Sequence, residues 1–593
     1  RQATDQYQKP AAAQDPTPQQ APVTLKGGKS GQEYTKTEKQ IARVWHQVLG
    51  HQAYDINDNF FEIGGDSLKI MQVYSRLSQE LDSNFPIRTL FENPTIERLS
   101  QKLDKQNKSY KIRIPRAPKN KPHYTLSHSQ KRLFILYKLE PDSPFYNISN
   151  IRQLTGRLHI PKFRQALNIL SQRHETLRTN FQEVDGEPVQ VIHPEPTARL
   201  KTHDLSKLPQ KDKEKRKQDI IQKTTQTPFK LEEEPLLRAV ILKEGQVRAN
   251  SSKKSKSKAQ EKYTFILTIH HIIFDIWSMA VFYQELSHIY NQLLKGEEPN
   301  LPELPIQYKD YTEWERSEAN EKRLKEQEKY WLKELSGELP VLNLPTDRPR
   351  PPVLTHNGHT LVEFLDPELV NSFKKINQSQ STTSFITFLS AFAIFLYRLT
   401  GDEDIIIGSI AANRKYSELN SLVGLLFNII PLRLRIDPNA PFTDMVAQAK
   451  KTVLNGFENG DYSFDQIIEK VNPPRDTSRS PIFNVMFQQD MFEKSQNQLQ
   501  GIDTITFSSV DNNTAKFDLK LRVHELPDQR GRVMIEYNTD LFRQETIKQR
   551  LLEFKQLLKS ISQDPGRKCS EFEIMPKEER DKLLGAYENI PKD

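Results

Sequence analysis

The sequence predicts two folding units of different class, a small all-α unit over residues 33–105 and a large α/β unit over residues 123–575. Apolar residues recur at helical spacing throughout the first range. Segments typical of strands and segments typical of helices alternate throughout the second range. A chain of 593 residues with 36% hydrophobic and 27% charged side chains has enough apolar material for such cores.

Two stretches without periodicity separate these units from their surroundings. Residues 1–32 are rich in Gln, Pro, Ala and Gly, which predicts a disordered linker. Residues 106–122 are basic and carry prolines, which predicts a second linker. Two basic runs lie inside the large unit. Residues 211–217 predict the solvated face of a helix and residues 251–258 a mobile surface loop, and neither is interleaved with aromatic residues as a nucleic-acid site would be.

Composition excludes several classes of protein. The single cysteine, Cys569, excludes an intramolecular disulfide framework and a cysteine-clustered metal site, and it favours a reducing cytoplasm. No apolar run is long enough for a transmembrane helix, so we expect no membrane partner. The chain begins at Arg1 without an initiator Met or an apolar signal segment, so we expect a piece of a longer protein. The net charge of +8 is modest and leaves several kinds of partner open.

The small unit is predicted to be built from amphipathic helices. Residues 37–49 place Ile41, Val44, Trp45 and Val48 on one face, and another helix follows Pro94 over about residues 95–103. Between them, helical spacing starts at Leu68, so Ser67 stands at a helix N-terminus. The preceding glycines, at positions 64 and 65, allow a tight backbone turn into that helix.

Ser67 has two interpretations at this point. The commonest role of serine at a helix start is to cap the helix. Alternatively, the hydroxyl is a modification site, because a phosphodiester there would meet the positive end of the helix dipole and free backbone amides. Position alone favours the cap.

In the large unit, a histidine pair lies between a predicted strand and a predicted helix. Residues 263–270 form a short β-rich apolar run, and helical spacing resumes from Ser278, a candidate N-cap. Adjacent strand residues point to opposite faces, so at most one of His270 and His271 faces a given cavity. Core packing is the simplest role for the pair. A metal site would need a third ligand that the sequence does not supply. A general base is the remaining possibility, because imidazole exchanges protons near neutral pH.

The small unit closely resembles the peptidyl carrier domains of nonribosomal peptide synthetases. The resemblance rests on residues 58–68, DNFFEIGGDSL, and on residues 37–50, TEKQIARVWHQVLG. It implies a four-helix bundle in which Ser67 carries phosphopantetheine, attached by a phosphopantetheinyl transferase. The thiol of that cofactor would hold an aminoacyl or peptidyl group as a thioester. Asp66 stands where many carriers have His.

The large unit resembles condensation domains, which are relatives of chloramphenicol acetyltransferase. His270, His271 and Asp275 match their His-His-x-x-x-Asp motif, and further family motifs occur in the expected order at residues 127–133, 173–181, 308–314, 423–428 and 475–483. The resemblance implies two lobes, residues 123–295 and 296–575, with His271 at their junction. It implies amide formation between a donor thioester on the carrier and the amine of an acceptor on a downstream carrier.

The same resemblance implies roles for the site residues. His271 would take a proton from the attacking amine or orient it, and His270 would pack. Asp275 would form a structural ion pair, for which Arg414 is the candidate partner. The candidate channel residues are Ile276, Trp277, Ser278 and Asn428. Ile276 replaces the usual Gly, so either the turn tolerates a negative φ there or the substrate path is narrowed.

Two alternative functions stay open. An epimerisation domain shares the histidine motif, although Ile276, Trp277, Ser278 and Met279 follow the condensation pattern. A catalytically silent module that binds carriers or recruits another enzyme is favoured only by Ile276. Residues 576–593 resemble the lead-in to an adenylation domain, which would be an adjacent partner.

Overall fold

The computed structural model describes residues 23–27, 33–65, 67–81, 85–105, 113–119, 121–196, 199–233, 235–248, 259–489, 498–508, 513–526, 529–576 and 580. The chain divides into two compact units, residues 1–110 and 111–593. Most of the predicted linker 1–32, the loop 251–258 and most of the segment 576–593 lie outside the described residues.

The first unit is largely helical. Its elements are β1 (Thr24–Lys26), α1 (Lys36–Leu49), β2 (Ala53–Asp55), α2 (Ser67–Glu80), α3 (Arg88–Glu92) and α4 (Ile96–Lys105). Three of the four residues on the predicted apolar face of α1, Ile41, Val44 and Trp45, are each no more than 1% exposed, and the fourth, Val48, is half-buried. Thr35 and Glu38 form a capping box at the start of α1, and Gly50 ends the helix in the left-handed region at φ 84°.

The all-α expectation for this unit is wrong in one detail. β1 pairs with β2 in a parallel ladder, with Thr24 opposite Ala53 and Lys26 opposite Asp55. Residues 24–26 therefore form a strand where the sequence predicts a linker. Each strand has three residues, which is too short for an alternating pattern to stand out in the sequence.

The second unit contains the remaining elements. Its helices are α5 (His128–Leu139), α6 (Ile160–Arg173), α7 (Gln210–Gln226), α8 (Ile276–Lys295), α9 (Tyr308–Glu315), α10 (Glu318–Glu334), α11 (Pro367–Ser379), α12 (Ser384–Thr400), α13 (Phe442–Glu458), α14 (Phe464–Val471) and α15 (Gln544–Gln563). Its strands are β3 (Tyr124–Thr125), β4 (Asn147–Gly156), β5 (Thr179–Val184), β6 (Glu187–Ile192), β7 (Leu200–Asp204), β8 (Leu237–Arg248), β9 (Ala259–His270), β10 (Gly358–Leu365), β11 (Asp404–Ala411), β12 (Asn428–Arg435), β13 (Val485–Gln489), β14 (Ile502–Ser508), β15 (Leu519–Glu525) and β16 (Gly531–Asn538).

Two larger sheets organise this unit, which gives it an α/β fold. Across the described strands, the first sheet has the order β14-β4-β9-β8-β7 and the second the order β10-β16-β15-β13-β11-β12. β3, β6 and β5 form a smaller sheet. Each larger sheet mixes parallel and antiparallel pairs, and helices cover them: α8 packs with α6 against the first, and α12 lies among α13, α15 and β13 at the second.

The expected lobe boundary at residues 295 and 296 does not hold throughout. β14 comes from the later part of the chain but pairs antiparallel with β4 of the first sheet. The core that includes the first sheet and α8 also contains buried side chains from later in the chain: Tyr308, Tyr311, Leu419, Leu422, Val423, Leu425 and Leu426. Long-range pairing of this kind leaves no local mark in the sequence.

Two segments that the sequence predicts to be exposed contain buried residues. In the predicted linker 106–122, Ile114 is 5% exposed and the Ala117 amide donates to the Asp310 carboxylate at 2.8 Å, so residues 113–119 are packed as part of the second unit. The basic run 211–217 is helical and largely exposed as predicted, except that Lys217 is buried and its ammonium pairs with Glu244 at 3.0 Å.

Within the described residues, no single helix is long and apolar enough to cross a membrane. Pro367–Ser379 and Ser384–Thr400, bent by 107° at the break between them, reach that length and apolar composition only as a pair.

Candidate active site

The histidine pair lies where β9 ends and a short 3-10 turn, His271–Ile273, leads toward α8. β9 is held between β4 and β8, so the end of the strand has a fixed position. The His270 amide donates to the Leu236 carbonyl at 3.0 Å, and the His271 amide donates to the Tyr146 carbonyl at 2.8 Å. Neighbouring backbone on both sides therefore fixes the two histidines.

His270 faces the core. It is 4% exposed, and its Nδ1 accepts a hydrogen bond from the Ile272 amide at 3.1 Å. The rings of Tyr146 and Phe229 lie 6.2 and 6.1 Å from the imidazole. Burial lowers the pKa of His270 to about 3, so the ring is neutral at physiological pH.

His271 is half-buried, and its two ring nitrogens differ in their surroundings. Nδ1 lies 2.7 Å from the Phe274 carbonyl oxygen. A carbonyl oxygen only accepts, so Nδ1 carries the proton and Nε2 keeps a free lone pair. Nε2 has no hydrogen bond to any described residue, and the Phe427 ring lies 5.0 Å from the imidazole. Burial and then the charge of Lys516 lower the pKa of His271 to about 3.

Asp275 anchors the start of α8. It is the N-cap residue, at φ −132° and ψ 179°, and its Oδ1 accepts from the Ser278 amide at 2.7 Å. Ser278 is therefore the third residue of the helix and not its cap, which corrects the sequence prediction. The physical reason is that a carboxylate shortly before the helical spacing begins is an equally good cap.

The predicted ion pair between Asp275 and Arg414 is present. The Arg414 Nη2 lies 3.2 Å from Asp275 Oδ1, and both side chains are 1% exposed. Asp275 Oδ2 also accepts from the Leu426 amide at 3.1 Å. Arg414 donates from Nη1 to the carbonyls of Leu419 and Leu422. This network joins α8 to the loop that follows β11.

Two of the four predicted channel residues are buried and hydrogen-bonded within the protein. Ser278 is fully buried, and its hydroxyl lies 2.6 Å from Asp275 and accepts from the Gly424 amide at 3.0 Å. Asn428 is 5% exposed. Its amide group donates to the carbonyls of Gly460 and Tyr462 at 2.9 and 2.7 Å and accepts from the Phe464 amide at 3.1 Å. The polar groups of both side chains are thus engaged within the protein.

The other two channel candidates are more accessible. Ile276 is the first residue of α8 and is 41% exposed. It is not among the residues with positive φ, so the turn accommodates a β-branched side chain without strain. Trp277 is half-buried and its indole nitrogen donates to the Asn420 carbonyl at 3.0 Å.

Residues of three other family motifs bond to this turn, to α8 and to the segment 423–428. Gln130 donates to the Ile272 carbonyl at 3.1 Å, and Glu285 of α8 accepts from Arg173 and His174 at 3.1 and 2.7 Å. Tyr308 donates to the Leu425 carbonyl at 2.6 Å.

The close packing of Tyr308 against position 424 requires a glycine there. A Cβ at position 424 would lie 2.1 Å from the Tyr308 ring, so only glycine fits there. The amide of the same residue donates to the Ser278 hydroxyl, which ties the motif at residues 423–428 to α8.

Sequence reasoning missed Lys516. Its ammonium lies over the rings of Phe145 and Tyr146, 5.1 and 5.0 Å from their centroids. Burial lowers the pKa of Lys516 to about 8. One lysine among 85 basic residues carries no local signal, because its neighbours in the site come from distant parts of the chain.

The carrier site is described only in part. Ser67 is the first residue of α2, as predicted, and Asp66 lies outside the described residues. Gly64, at φ 103°, makes the turn, and a Cβ at Gly65 would lie 2.2 Å from the Phe60 ring. Lys69, in the first turn of α2, donates to the Gly64 carbonyl at 2.7 Å. A helix N-terminus with a nearby ammonium is electrostatically suited to a phosphodiester on Ser67.

Comparison with known families decides the identity. A family model described as Condensation domain matches residues 120–584, and one described as Phosphopantetheine attachment site matches residues 39–103. The chain belongs to the condensation domain family. It combines a phosphopantetheine-carrying domain with a condensation domain, an arrangement found in nonribosomal peptide synthetases.

Similar proteins are large peptide synthetases. Over 93% of its length, the chain is 35% and 36% identical to two of the proteins that make up linear gramicidin synthase of Brevibacillus parabrevis. It is 34% identical over 92% of its length to gramicidin S synthase 2 from Aneurinibacillus migulanus. The chain spans 7%, 10% and 12% of the length of these three relatives.

Solved structures share the fold of the second unit. The X-domain from teicoplanin biosynthesis, solved in complex with OxyB, matches with a TM-score of 0.65 at 21% identity. The match covers 79% of this chain and 100% of the X-domain chain. A variant of the starter condensation domain of rhizomide synthetase also has a TM-score of 0.65 at 21% identity, covering 77% of this chain and 98% of its own. At this level of identity the similarity concerns the fold.

Proposed function

We propose that this condensation domain forms an amide between a donor acyl group held on the four-helix carrier unit and the amine of an acceptor on a downstream carrier. Phosphopantetheine, attached to Ser67 by a phosphopantetheinyl transferase, supplies the thiol that holds the donor as a thioester. The observation that carries the proposal is the state of His271, whose Nδ1 is hydrogen-bonded and whose Nε2 is available.

The chemistry at His271 follows from its charge. Because burial holds its pKa near 3, the imidazole is neutral and is a weak base in the resting site. Nε2 accepts a hydrogen bond from the neutral acceptor amine and orients it. As the amine nitrogen bonds to the thioester carbon, that nitrogen becomes acidic and passes its proton to Nε2. When the carbon–sulfur bond breaks, the His271 imidazolium would return this proton to the sulfur.

Much of the rate enhancement would come from placing the two reactants together, because a thioester is already an activated acyl group. Asp275 would contribute by holding the turn and not by touching substrate. Its carboxylate already receives hydrogen bonds from Arg414, Ser278 and Leu426. An adjacent adenylation domain would load the carriers.

The full chain, treated with a phosphopantetheinyl transferase and an aminoacyl coenzyme A, tests the proposal. Mixing this donor with a separately loaded acceptor carrier should give an amide on the acceptor, detected by intact mass spectrometry. Ser67→Ala should abolish both loading and product.

Two results would contradict the proposal. If the loaded wild-type chain gives no amide with several acceptors, the silent, carrier-binding alternative is favoured. If the donor changes its stereochemistry without an acceptor, the epimerisation alternative is favoured. The backbone at Ile276 does not have a positive φ, so this residue fits the turn without distorting it. This observation disfavours the catalytically silent alternative.

A further inference from the structure

Lys516 lies at the junction between the two larger sheets. It precedes β15 of the second sheet, and the residue before it, Ala515, donates from its amide to the His356 carbonyl at 3.0 Å. Its ammonium lies over the rings of Phe145 and Tyr146, which precede β4 of the first sheet. Lys516 therefore brings a charge from one lobe to the end of a strand in the other.

The same contact links Lys516 to the catalytic histidine. Tyr146 offers its ring to the Lys516 ammonium and its carbonyl oxygen to the His271 amide, at 2.8 Å. One residue thus connects the ammonium with the backbone of His271. The electrostatic effect is consistent with this geometry, because the Lys516 charge lowers the pKa of both histidines.

The positive charge of Lys516 is not neutralised by an ion pair. No carboxylate of the described residues lies within 4.0 Å of its ammonium, which instead contacts two aromatic rings. The nearby Arg132 differs, because Asp465 lies 3.6 Å from it. As far as the described residues show, the reaction centre therefore has a cation without a carboxylate partner on the side of Phe145 and Tyr146.

We propose that Lys516 is a positioning residue whose charge keeps the acceptor amine in its uncharged, nucleophilic form beside Nε2 of His271. The proposal rests on the function proposed above. A protonated amine has no lone pair for attack, and a like charge nearby disfavours protonation. Free α-amino groups have pKa values of about 7.7–8.0, so at neutral pH most of the acceptor is protonated before it enters the site.

Other charged groups also act on this region, and they set the background for the effect. Those whose charges act on Lys516 or on the histidines are Arg132 of α5, Arg238 of β8, Lys520 of β15 and Glu536 of β16. Asp465 of α14 pairs with Arg132. Glu536 accepts from the backbone amide of Lys516 at 3.5 Å. All of these groups are retained when only position 516 is changed, so a change in pH dependence would report on Lys516.

The test is a single-turnover measurement of amide formation between about pH 6.0 and 8.5, using the full chain with loaded donor and acceptor carriers. Lys516→Met should be about tenfold slower than wild type near the acidic end of this range, because loss of a like charge raises the pKa of the bound amine by about one unit. The two rates should converge at the alkaline end, where the amine is already neutral. Lys516→Arg keeps the charge and should follow the wild-type profile at the acidic end, below the Lys516 pKa of about 8.

Two controls separate this role from others. Lys548→Met removes an exposed lysine of α15 and should leave the profile unchanged. Melting temperatures identify a folding defect, and Lys516→Gln serves as a second neutral variant if the methionine variant is unstable.

The outcomes are distinguishable. If Lys516→Met lowers the rate of amide formation equally at every pH, the proposal is overturned in favour of a structural or carbonyl-binding role. If the dependence of the rate on pH is the same as in the wild type, the proposal is also overturned. Absence of product in the wild-type chain at all pH values would instead contradict the proposed condensation function.

Discussion

The two ends of the turn between β9 and α8 are built in opposite ways. At the Asp275 end, the carboxylate receives hydrogen bonds from two backbone amides, a hydroxyl and a guanidinium, all in a buried environment. At the His271 end, one ring nitrogen is bonded to a carbonyl and the other has no partner among the described residues. The two residues are four positions apart.

This difference leads us to predict that the turn separates stability from chemistry. A buried charge needs its partners, so the Asp275 end is expected to matter for folding. An unsatisfied basic nitrogen contributes little to folding but is available to a substrate. The following variants test that separation.

The largest effect on stability is expected from Asp275→Ala. The change leaves the Arg414 guanidinium buried without its carboxylate, at a cost of about 3–5 kcal/mol in the free energy of unfolding. Chemical denaturation measures this directly, and Asp275→Asn, which keeps an acceptor but not the charge, should lose less. Wild-type stability combined with loss of turnover would place Asp275 in the chemistry instead.

Asn428→Ala tests whether a predicted channel residue is structural. It removes two donors and one acceptor that hold residues 460–464, so we expect a loss of about 1–3 kcal/mol in unfolding free energy. The rate per folded molecule should stay unchanged. Asn439→Ala, at an exposed position, is the matched control. If the variant is stable but prefers a different acceptor, Asn428 lines the substrate channel as the sequence predicted.

His270→Asn tests the core histidine through pH. The pKa of His270 is lowered on folding, so the unfolded chain binds a proton that the folded chain does not, and stability falls as pH drops below about 6.5. Asparagine can still accept from the Ile272 amide but does not titrate. Between about pH 6.5 and 5.5, the free energy of unfolding obtained from denaturation curves should therefore fall by about 1 kcal/mol less in the variant than in the wild type. Identical pH dependence would mean that His270 is protonated in the folded chain.

The smallest effect is expected from Ile276→Gly, which restores the residue usual in the family. Because Ile276 is helical and exposed, glycine should cost no more than about 1 kcal/mol of unfolding free energy through backbone entropy. The rate should change less than twofold. A large gain in rate would instead mean that Ile276 narrows the substrate path.

The local parts of this site can be predicted from sequence, and the distant parts cannot. The apolar run before His270 and the helical spacing after Asp275 locate the turn, and strand alternation predicts that at most one of the two histidines faces a given cavity. The family resemblance then selects His271. Arg414 is identified only through the family resemblance. By contrast, the pairing of β14 with β4 and the contact of Lys516 with Tyr146 join distant segments. The burial of Asn428 likewise depends on hydrogen bonds to residues 460, 462 and 464, which are distant in the sequence.

The central claim is that His271, and not His270, handles the proton in amide formation. Single-turnover condensation by His271→Ala, with His270→Asn as the matched control and melting temperatures for both, tests it most directly. We expect His271→Ala to load normally, to keep its melting temperature and to form amide about 10²–10⁴-fold more slowly. His270→Asn should retain most of the rate. Unchanged product formation by a folded His271→Ala chain would contradict the claim and would mean that proximity of the two substrates alone drives the bond.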